Sequence, residues 1–102
     1  MPQQEGNNSV LDGEKLADAL IDLPGWELKG KQIVKCYSFK TFAEAMEFAN
    51  AVGQVAERLN HHPDIHIAFT KVKILSWTHK FNAVTKLDTA LAAEVERVLE
   101  KV

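Results

Sequence analysis

The sequence predicts an α+β fold in which a four-stranded antiparallel sheet carries three helices on one face, in the order α-β-β-α-β-β-α. Two observations predict this class. Three segments repeat apolar residues at the helical spacing of three and four, and between them lie two pairs of short segments rich in β-branched and aromatic residues. Because short turns join the members of each pair, these strands should be antiparallel and covered by the helices on one face.

The first helix is expected to start at a capping box formed by Ser9 and Asp12 and to stop before Pro24 and Gly25. Its apolar stripe consists of Leu16, Leu20 and Leu23. Two strands follow, over residues 26–28 and 32–39, with Gly30 supplying the backbone angles of a tight turn between them.

The second helix is the most clearly patterned element of the chain. Thr41 and Glu44 have the spacing of a capping box, and Pro63 removes His62 from the helical region, so the helix must end near His61. Its apolar stripe consists of Ala45, Phe48, Val52, Val55 and Leu59, widened by Met46, Ala49 and Ala56.

The last two strands and the third helix complete the order. Residues 65–69 and 72–77 predict a hairpin, and Thr85 and Asp88 form a third capping box. The apolar stripe of the terminal helix consists of Leu87, Leu91, Val95, Val98 and Val102.

Length and composition indicate one domain over residues 9–102, preceded by a polar, mobile tail over residues 1–8. Hydrophobic residues make up 46% and charged residues 25% of the 102 residues, as in ordinary globular proteins. A net charge of -2, with the lysines dispersed, argues against direct nucleic-acid binding. No apolar run resembles a signal peptide or a membrane span.

Cys36 is the only cysteine, so no intramolecular disulfide can form. This composition fits a reducing compartment and predicts a cytoplasmic protein. Because Cys36 falls in an apolar strand, we expect it to be a small buried hydrophobic residue rather than a nucleophile.

All four histidines lie between positions 61 and 79, and this clustering is the main functional signal: His61, His62, His66 and His79. An antiparallel sheet could bring the end of the last strand, with His79, close to the end of the second helix. Histidine titrates near neutral pH and can give or accept a proton there.

Other interpretations of these residues remain open. Histidines at a helix end can be solvated polar residues, and His62, His66 and His79 with a carboxylate could bind a metal, although Pro63 breaks the helix that would align the first two. Other candidates also have structural explanations: Asp88 as a cap, Glu57 as a solvated helix residue or the acceptor of an imidazole, and Trp77 and Phe69 as core residues or the walls of a slot for a flat heterocycle.

The combined pattern Glu57-x3-His61-His62-Pro63, followed by Phe69, His79 and Asp88, resembles the signature of the pterin-4a-carbinolamine dehydratases. The resemblance extends over most of the chain, through Leu23-Pro24-Gly25-Trp26, Phe42-Ala43-Glu44-Ala45-Met46-Glu47-Phe48, Val55-Ala56-Glu57 and Thr78-His79.

The resemblance implies the same α+β fold, a homodimer or homotetramer, and dehydration of a 4a-hydroxytetrahydropterin without a metal or other cofactor. It also implies that His61, His62 and His79 bind pterin and move protons. We expect His62 and His79 to transfer the protons and His61 to orient the substrate. The supporting residues are Glu57, Asp88, Pro63 and Trp77.

The sequence departs from the family pattern at three places. Ser76 stands where the family usually has an apolar residue, Ala83-Val84-Thr85 replaces Gly-Leu-Thr, and Ile67-Ala68 replaces a segment that often carries Asn. These changes are expected on the sheet surface and in the loop after His79. The alternative functions are a non-catalytic or bifunctional interaction protein, as a transcription-factor dimerisation or assembly partner, and a metal-binding module.

Overall fold

The computed structural model describes residues 10–101, in which three helices pack against one face of a four-stranded antiparallel sheet. The elements, in chain order, are α1 (Gly13–Ile21), β1 (Glu27–Lys29), β2 (Gln32–Ser38), α2 (Phe42–Leu59), β3 (Asp64–Ala68), β4 (Lys71–Ser76) and α3 (Lys86–Leu99). The predicted fold class and element order are confirmed. Within residues 10–101 no helix is both long enough and apolar enough to cross a membrane.

The strand order β1-β2-β4-β3 places β2 and β4 at the centre of the sheet. Their register pairs Ile33 with Ser76 at one end and Ser38 with Lys71 at the other. Alternate residues of the central strands are buried beneath the helices: Ile33, Tyr37, Val72, Ile74 and Ser76. The second helix prediction also holds in its core stripe, because Phe48, Val52 and Val55 are fully buried.

Local hydrogen bonds define where the two longer helices begin. Thr41 is the N-cap of α2, and its hydroxyl accepts from the backbone N–H of Glu44, while the Glu44 side chain accepts from the N–H of Lys40. Thr85 and Asp88 form the full reciprocal capping box at the start of α3. The third capping box is therefore confirmed, and the second is present with its return bond shifted by one residue.

A cluster of polar side chains surrounds half-buried Glu96 of α3. Its Oε2 accepts from Lys35 Nζ at 2.8 Å, from Trp26 Nε1 at 3.3 Å, and from the Tyr37 hydroxyl. Burial raises the pKa of Glu96, but its donors outweigh burial and hold that pKa below the usual range. This cluster ties the chain before β1, the middle of β2 and the last turns of α3 together.

Several sequence expectations are corrected by the structure. Cys36 is exposed because it lies on the uncovered face of the sheet, between buried Tyr37 and half-buried Lys35. Met46 is 44% exposed and does not widen the buried stripe of α2. Asp12 is itself the N-cap of α1 and makes no side-chain cap bond, so it is not the third-position partner of a box. The expected tail over residues 1–8, the cap at Ser9 and the apolar Val102 lie outside the described residues.

Candidate active site

The end of α2 and the segment after β4 form the two walls of a surface cleft. Asn60 ends α2 in the left-handed conformation, with φ of 53°, and the N–H of His61 bonds the carbonyl of Ala56 at 3.1 Å. On the other wall a short bridge joins Thr78 to Ala83. The cleft has a volume of about 360 Å³ and is lined by Asn60, His61, His62, Trp77, Thr78, His79 and Lys80.

Asp88 lies fully buried behind the cleft and accepts four hydrogen bonds. Its Oδ2 accepts from the Thr85 N–H at 2.9 Å and from Thr78 Oγ1 at 2.8 Å. Its Oδ1 accepts from Ser76 Oγ at 2.5 Å and lies 2.6 Å from Nε2 of His61. Two bonds on each oxygen occupy the lone-pair positions of a carboxylate. Burial alone raises the pKa of Asp88, but the four bonds together lower it below the usual range.

The ionised state of Asp88 determines which ring nitrogen of His61 carries the shared hydrogen. An ionised carboxylate can only accept, so Nε2 of His61 must carry the hydrogen that it shares with Oδ1. The side chain of His61 is only 12% exposed. In its neutral form the imidazole therefore has Nδ1 as an acceptor, and Nδ1 is the ring nitrogen left for a molecule in the cleft.

His62 has a carboxylate partner of a different kind. Its Nε2 lies 2.7 Å from Oε2 of Glu57, and the two side chains are 55% and 79% exposed. Of the two interpretations that the sequence left open for Glu57, the contact agrees with an acceptor of an imidazole, and that imidazole is His62. Water screens this pair, so its coupling is weaker than that of the buried pair.

His79 is held by stacking. Its ring lies 4.0 Å from the Trp77 ring, with an interplanar angle of 26°. Lys31 Nζ lies 4.1 Å from the Trp77 ring and donates to Asn82 Oδ1 at 2.8 Å. Lys31 and His79 therefore both contact the ring of Trp77. The β1–β2 turn thus supports the wall that presents His79.

The structure brings most of the predicted site residues together. The three histidines and Trp77 line the cleft, and Asp88 and Glu57 each bond one of the histidines. Pro63 is not among the lining residues; it follows His62 and precedes β3.

Two other candidates lie elsewhere. His66 is in register with Lys73 on the uncovered face of the sheet. Phe69 is 74% exposed in the β3–β4 turn with φ of 56°, so it forms no slot with Trp77. Within residues 10–101 no three histidine, cysteine or acidic side chains are arranged to hold a metal ion.

Sequence reasoning missed Ser76, Thr78 and Lys31. Ser76 was expected on the sheet surface but is buried against Asp88. The strand parity would have signalled this, because Ser76 shares a face with Val72 and Ile74. A larger groove, of about 680 Å³, lies between α1 and the start of α3 and contains no histidine: its walls are Val10, Leu11, Lys15, Asp18, Ala19, Lys86, Thr89 and Ala90.

Comparison with known sequences gives a consistent result. Residues 9–98 match the family described as pterin 4 alpha carbinolamine dehydratase. A protein of Thermomicrobium roseum named "Putative pterin-4-alpha-carbinolamine dehydratase" is 44% identical over 85 residues, which cover 83% of this chain and 91% of that protein. A protein of the same name from Dechloromonas aromatica is 38% identical over 94% of this chain and 86% of its own length.

Two solved structures are similar. A transcriptional coactivator/pterin dehydratase from Brucella melitensis superposes with a TM-score of 0.83 at 32% identity, covering 88% of this chain and 98% of that one. A pterin dehydratase-like protein described as a RuBisCO assembly factor in the alpha-carboxysome has a TM-score of 0.59 at 23% identity, over 72% of this chain and 84% of that one. The second likeness shows the fold alone.

Proposed function

Because this chain belongs to the pterin-4a-carbinolamine dehydratase family, we propose that it dehydrates a 4a-hydroxytetrahydropterin to the quinonoid dihydropterin and water. The C4a–O bond breaks as the departing hydroxyl takes up a proton. The N5–H bond gives up its proton, and its electron pair forms the C4a=N5 double bond. No electrons leave the substrate for an external acceptor, so two proton transfers complete the reaction.

The observation that carries this proposal is the convergence of three imidazoles on one cleft, two of them bonded to carboxylates through Nε2. Each well-placed general acid or base contributes about 10²–10⁴ in rate. A pair acting on opposite sides of the ring would therefore supply the acceleration that this dehydration needs.

We assign the base to His62 and the acid to His79. Glu57 holds the Nε2 hydrogen of His62, which leaves the Nδ1 lone pair free to accept the N5 proton. His79 has no side-chain hydrogen bond within residues 10–101, so both of its ring nitrogens are available to the substrate hydroxyl. Stacking on Trp77 holds the ring of His79 in the wall of the cleft, from which it can deliver a proton to the substrate.

His61 has the geometry of an orienting group. It is held by Asp88 and offers an acceptor, Nδ1, to a donor on the pterin ring. Its burial leaves little freedom for the ring to move between substrate atoms. We therefore expect His61 to act chiefly on substrate binding, and His62 and His79 on turnover.

The test follows the dehydration of enzymatically generated 4a-hydroxytetrahydropterin by stopped-flow ultraviolet absorbance. Wild-type protein should accelerate the reaction, and a variant with both His62→Ala and His79→Ala should not. A His66→Ala variant is the matched control, because His66 lies on the uncovered sheet face, and it should retain full activity. If folded wild-type protein did not accelerate the reaction, the proposed function would be refuted. If the double variant kept full activity, the assignment of His62 and His79 as base and acid would be refuted.

We also propose that the chain self-associates as a dimer or tetramer. Phe42 and Met46 lie one turn apart on α2 and are 51% and 44% exposed, and Phe69 at the β3–β4 turn is 74% exposed. Exposed apolar groups of this size are typical of association surfaces. Light scattering should give a mass above that of one chain, reduced by Phe42→Glu with Met46→Glu. A monomeric wild-type protein would contradict this, and would direct attention to a different protein partner for the same surface.

A further inference from the structure

Ser76 is a fully buried residue beside the site, and the proposed chemistry leaves it without a role. It ends β4, its side chain is fully buried, and its hydroxyl donates to Asp88 Oδ1. The bond to Asp88 is the only side-chain hydrogen bond of Ser76 within residues 10–101. Its strand neighbours on the same face, Val72 and Ile74, are apolar core residues and offer the hydroxyl no partner.

The oxygen that Ser76 contacts is the one that His61 uses. Ser76 Oγ and His61 Nε2 lie 2.5 and 2.6 Å from Oδ1. The other oxygen, Oδ2, is occupied by Thr78 and by the backbone of Thr85. Each donor on a carboxylate draws charge from it and weakens its hold on the others. The two donors on Oδ1 are therefore in direct competition.

We infer that Ser76 is a positioning residue: by sharing Asp88 Oδ1 with His61, it limits how strongly the carboxylate attracts positive charge onto that imidazole and keeps Nδ1 free as an acceptor. Without Ser76, more of the carboxylate's charge faces Nε2. A second proton then binds more readily at Nδ1, and the ring becomes a donor on the side that faces the cleft.

The other charged groups near His61 do not oppose this effect. His62 follows it in the chain, and Glu57 of α2 is bonded to His62. On the other wall, His79 and Lys80 line the cleft. None of these four side chains shares a hydrogen bond with Ser76 within residues 10–101, so loss of the Ser76 hydroxyl should reach His61 through Asp88.

The first test is independent of catalysis. Nitrogen-15 NMR of the histidine rings distinguishes a neutral imidazole with its hydrogen on Nε2 from a doubly protonated one. In Ser76→Ala the ratio of doubly protonated to neutral His61 at a fixed pH should rise about threefold to tenfold. This is a part of the effect of one hydrogen bond to a charged group, because three other donors remain on Asp88. The Nε2 proton should also move downfield as its bond to Oδ1 strengthens.

Two further variants make the result decisive. Ser76→Cys keeps a hydrogen-bond donor, although a weaker one on a slightly larger side chain, and should shift His61 in the same direction by a smaller amount. Ser38→Ala is the matched control, because Ser38 lies at the other end of the sheet and contacts Lys71; it should leave His61 unchanged. If the NMR spectrum of Ser76→Ala shows that this variant does not fold, the test rests on Ser76→Cys alone. A His61 ring unaltered or less protonated in the folded Ser76 variant would overturn the inference.

The kinetic consequence rests on the proposed function. If His61 orients the pterin through Nδ1, the acidic limb of kcat/KM in Ser76→Ala should move to higher pH by about half a unit to one unit, while kcat at high pH stays unchanged. A shift seen by NMR without dehydratase activity in the wild type would uphold the role of Ser76 and reject the function. Dehydratase activity in the wild type without the NMR shift in Ser76→Ala would uphold the function and reject the role of Ser76.

Discussion

Replacing Asp88 by Asn tests how much the buried carboxylate contributes to stability. The Thr85 backbone N–H can only donate, so the Asn carbonyl must take the Oδ2 position and its NH₂ group the Oδ1 position. That NH₂ group then faces two donors. The Ser76 hydroxyl can rotate to accept, whereas His61 can accept at Nε2 only by moving its hydrogen to Nδ1.

The expected cost follows from these contacts. A hydrogen bond to a charged group contributes about 1.5–3 kcal/mol and a neutral one about 0.5–1.5 kcal/mol. The two bonds at Oδ2 become neutral and the bond to His61 is reversed or lost, while the cost of burying a charge is relieved. We expect the free energy of unfolding to fall by about 2–3 kcal/mol at pH 7, within the range measured for broken buried polar networks.

The pH dependence has a defined sign. The pKa of Asp88 is lower in the folded chain than in the unfolded chain, where a free aspartate titrates near about 3.9. The stability from this carboxylate is therefore complete above about pH 5, and is lost as the pH falls through the folded pKa. The difference between wild type and Asp88→Asn should shrink correspondingly below about pH 4.

Urea unfolding followed by tryptophan fluorescence measures both effects. Asp64→Asn, the same change at an exposed position in β3, is the control and should alter stability by less than about 0.5 kcal/mol. If Asp88→Asn cost no more than this control at pH 7, or if its cost grew on acidification below about pH 4, the account of Asp88 would be refuted.

Three further predictions concern other contacts. Glu57→Gln should lower kcat by about two- to fivefold, since an exposed pair is coupled by no more than about 1 kcal/mol, without changing urea unfolding; a hundredfold loss would mean that Glu57 acts on the substrate directly. Trp77→Ala should free the ring of His79 and lower kcat by about tenfold, in line with a stacking contact of about 0.5–1.5 kcal/mol; unaltered kcat would show that stacking does not position this ring. Glu96→Gln should lower the free energy of unfolding by about 1–2 kcal/mol at pH 7. This deficit should shrink as the pH falls through the folded pKa of Glu96, which is lowered in the fold; a deficit that did not shrink on acidification would assign the loss to packing.

Local patterns predicted the elements because their causes are local. The reciprocal bonds of Thr85 and Asp88 depend on residues three apart, and the sequence shows that spacing directly. Pro63 likewise ends α2 through its own neighbours. The long helix was readable because each turn repeats the same apolar face against one sheet.

The site could be predicted only in part, because its decisive contacts are distant in the sequence. Asp88 lies 27 residues from His61 and 12 from Ser76, and nothing in the letters distinguishes a capping aspartate from one that also bonds an imidazole. Clustering indicated the four histidines and the resemblance selected three of them, but neither predicted that Ser76 is buried against Asp88. The prediction that Cys36 is buried was wrong for a related reason. Apolar and polar residues alternate imperfectly along β2, so the sequence does not show which set of alternate residues faces the helices.

The capping box at the start of α3 bears on how related chains are compared. Asp88 holds the first turn of that helix through Thr85 whether or not any pterin is present, so its retention in a relative says little about catalysis. His62 and His79 have no comparable structural role, because His62 bonds an exposed carboxylate and His79 is held by stacking. A relative that no longer catalyses the reaction could therefore replace His62 and His79 while it keeps the aspartate. Loss of these two histidines, rather than loss of Asp88, would then indicate which members of the family are no longer enzymes.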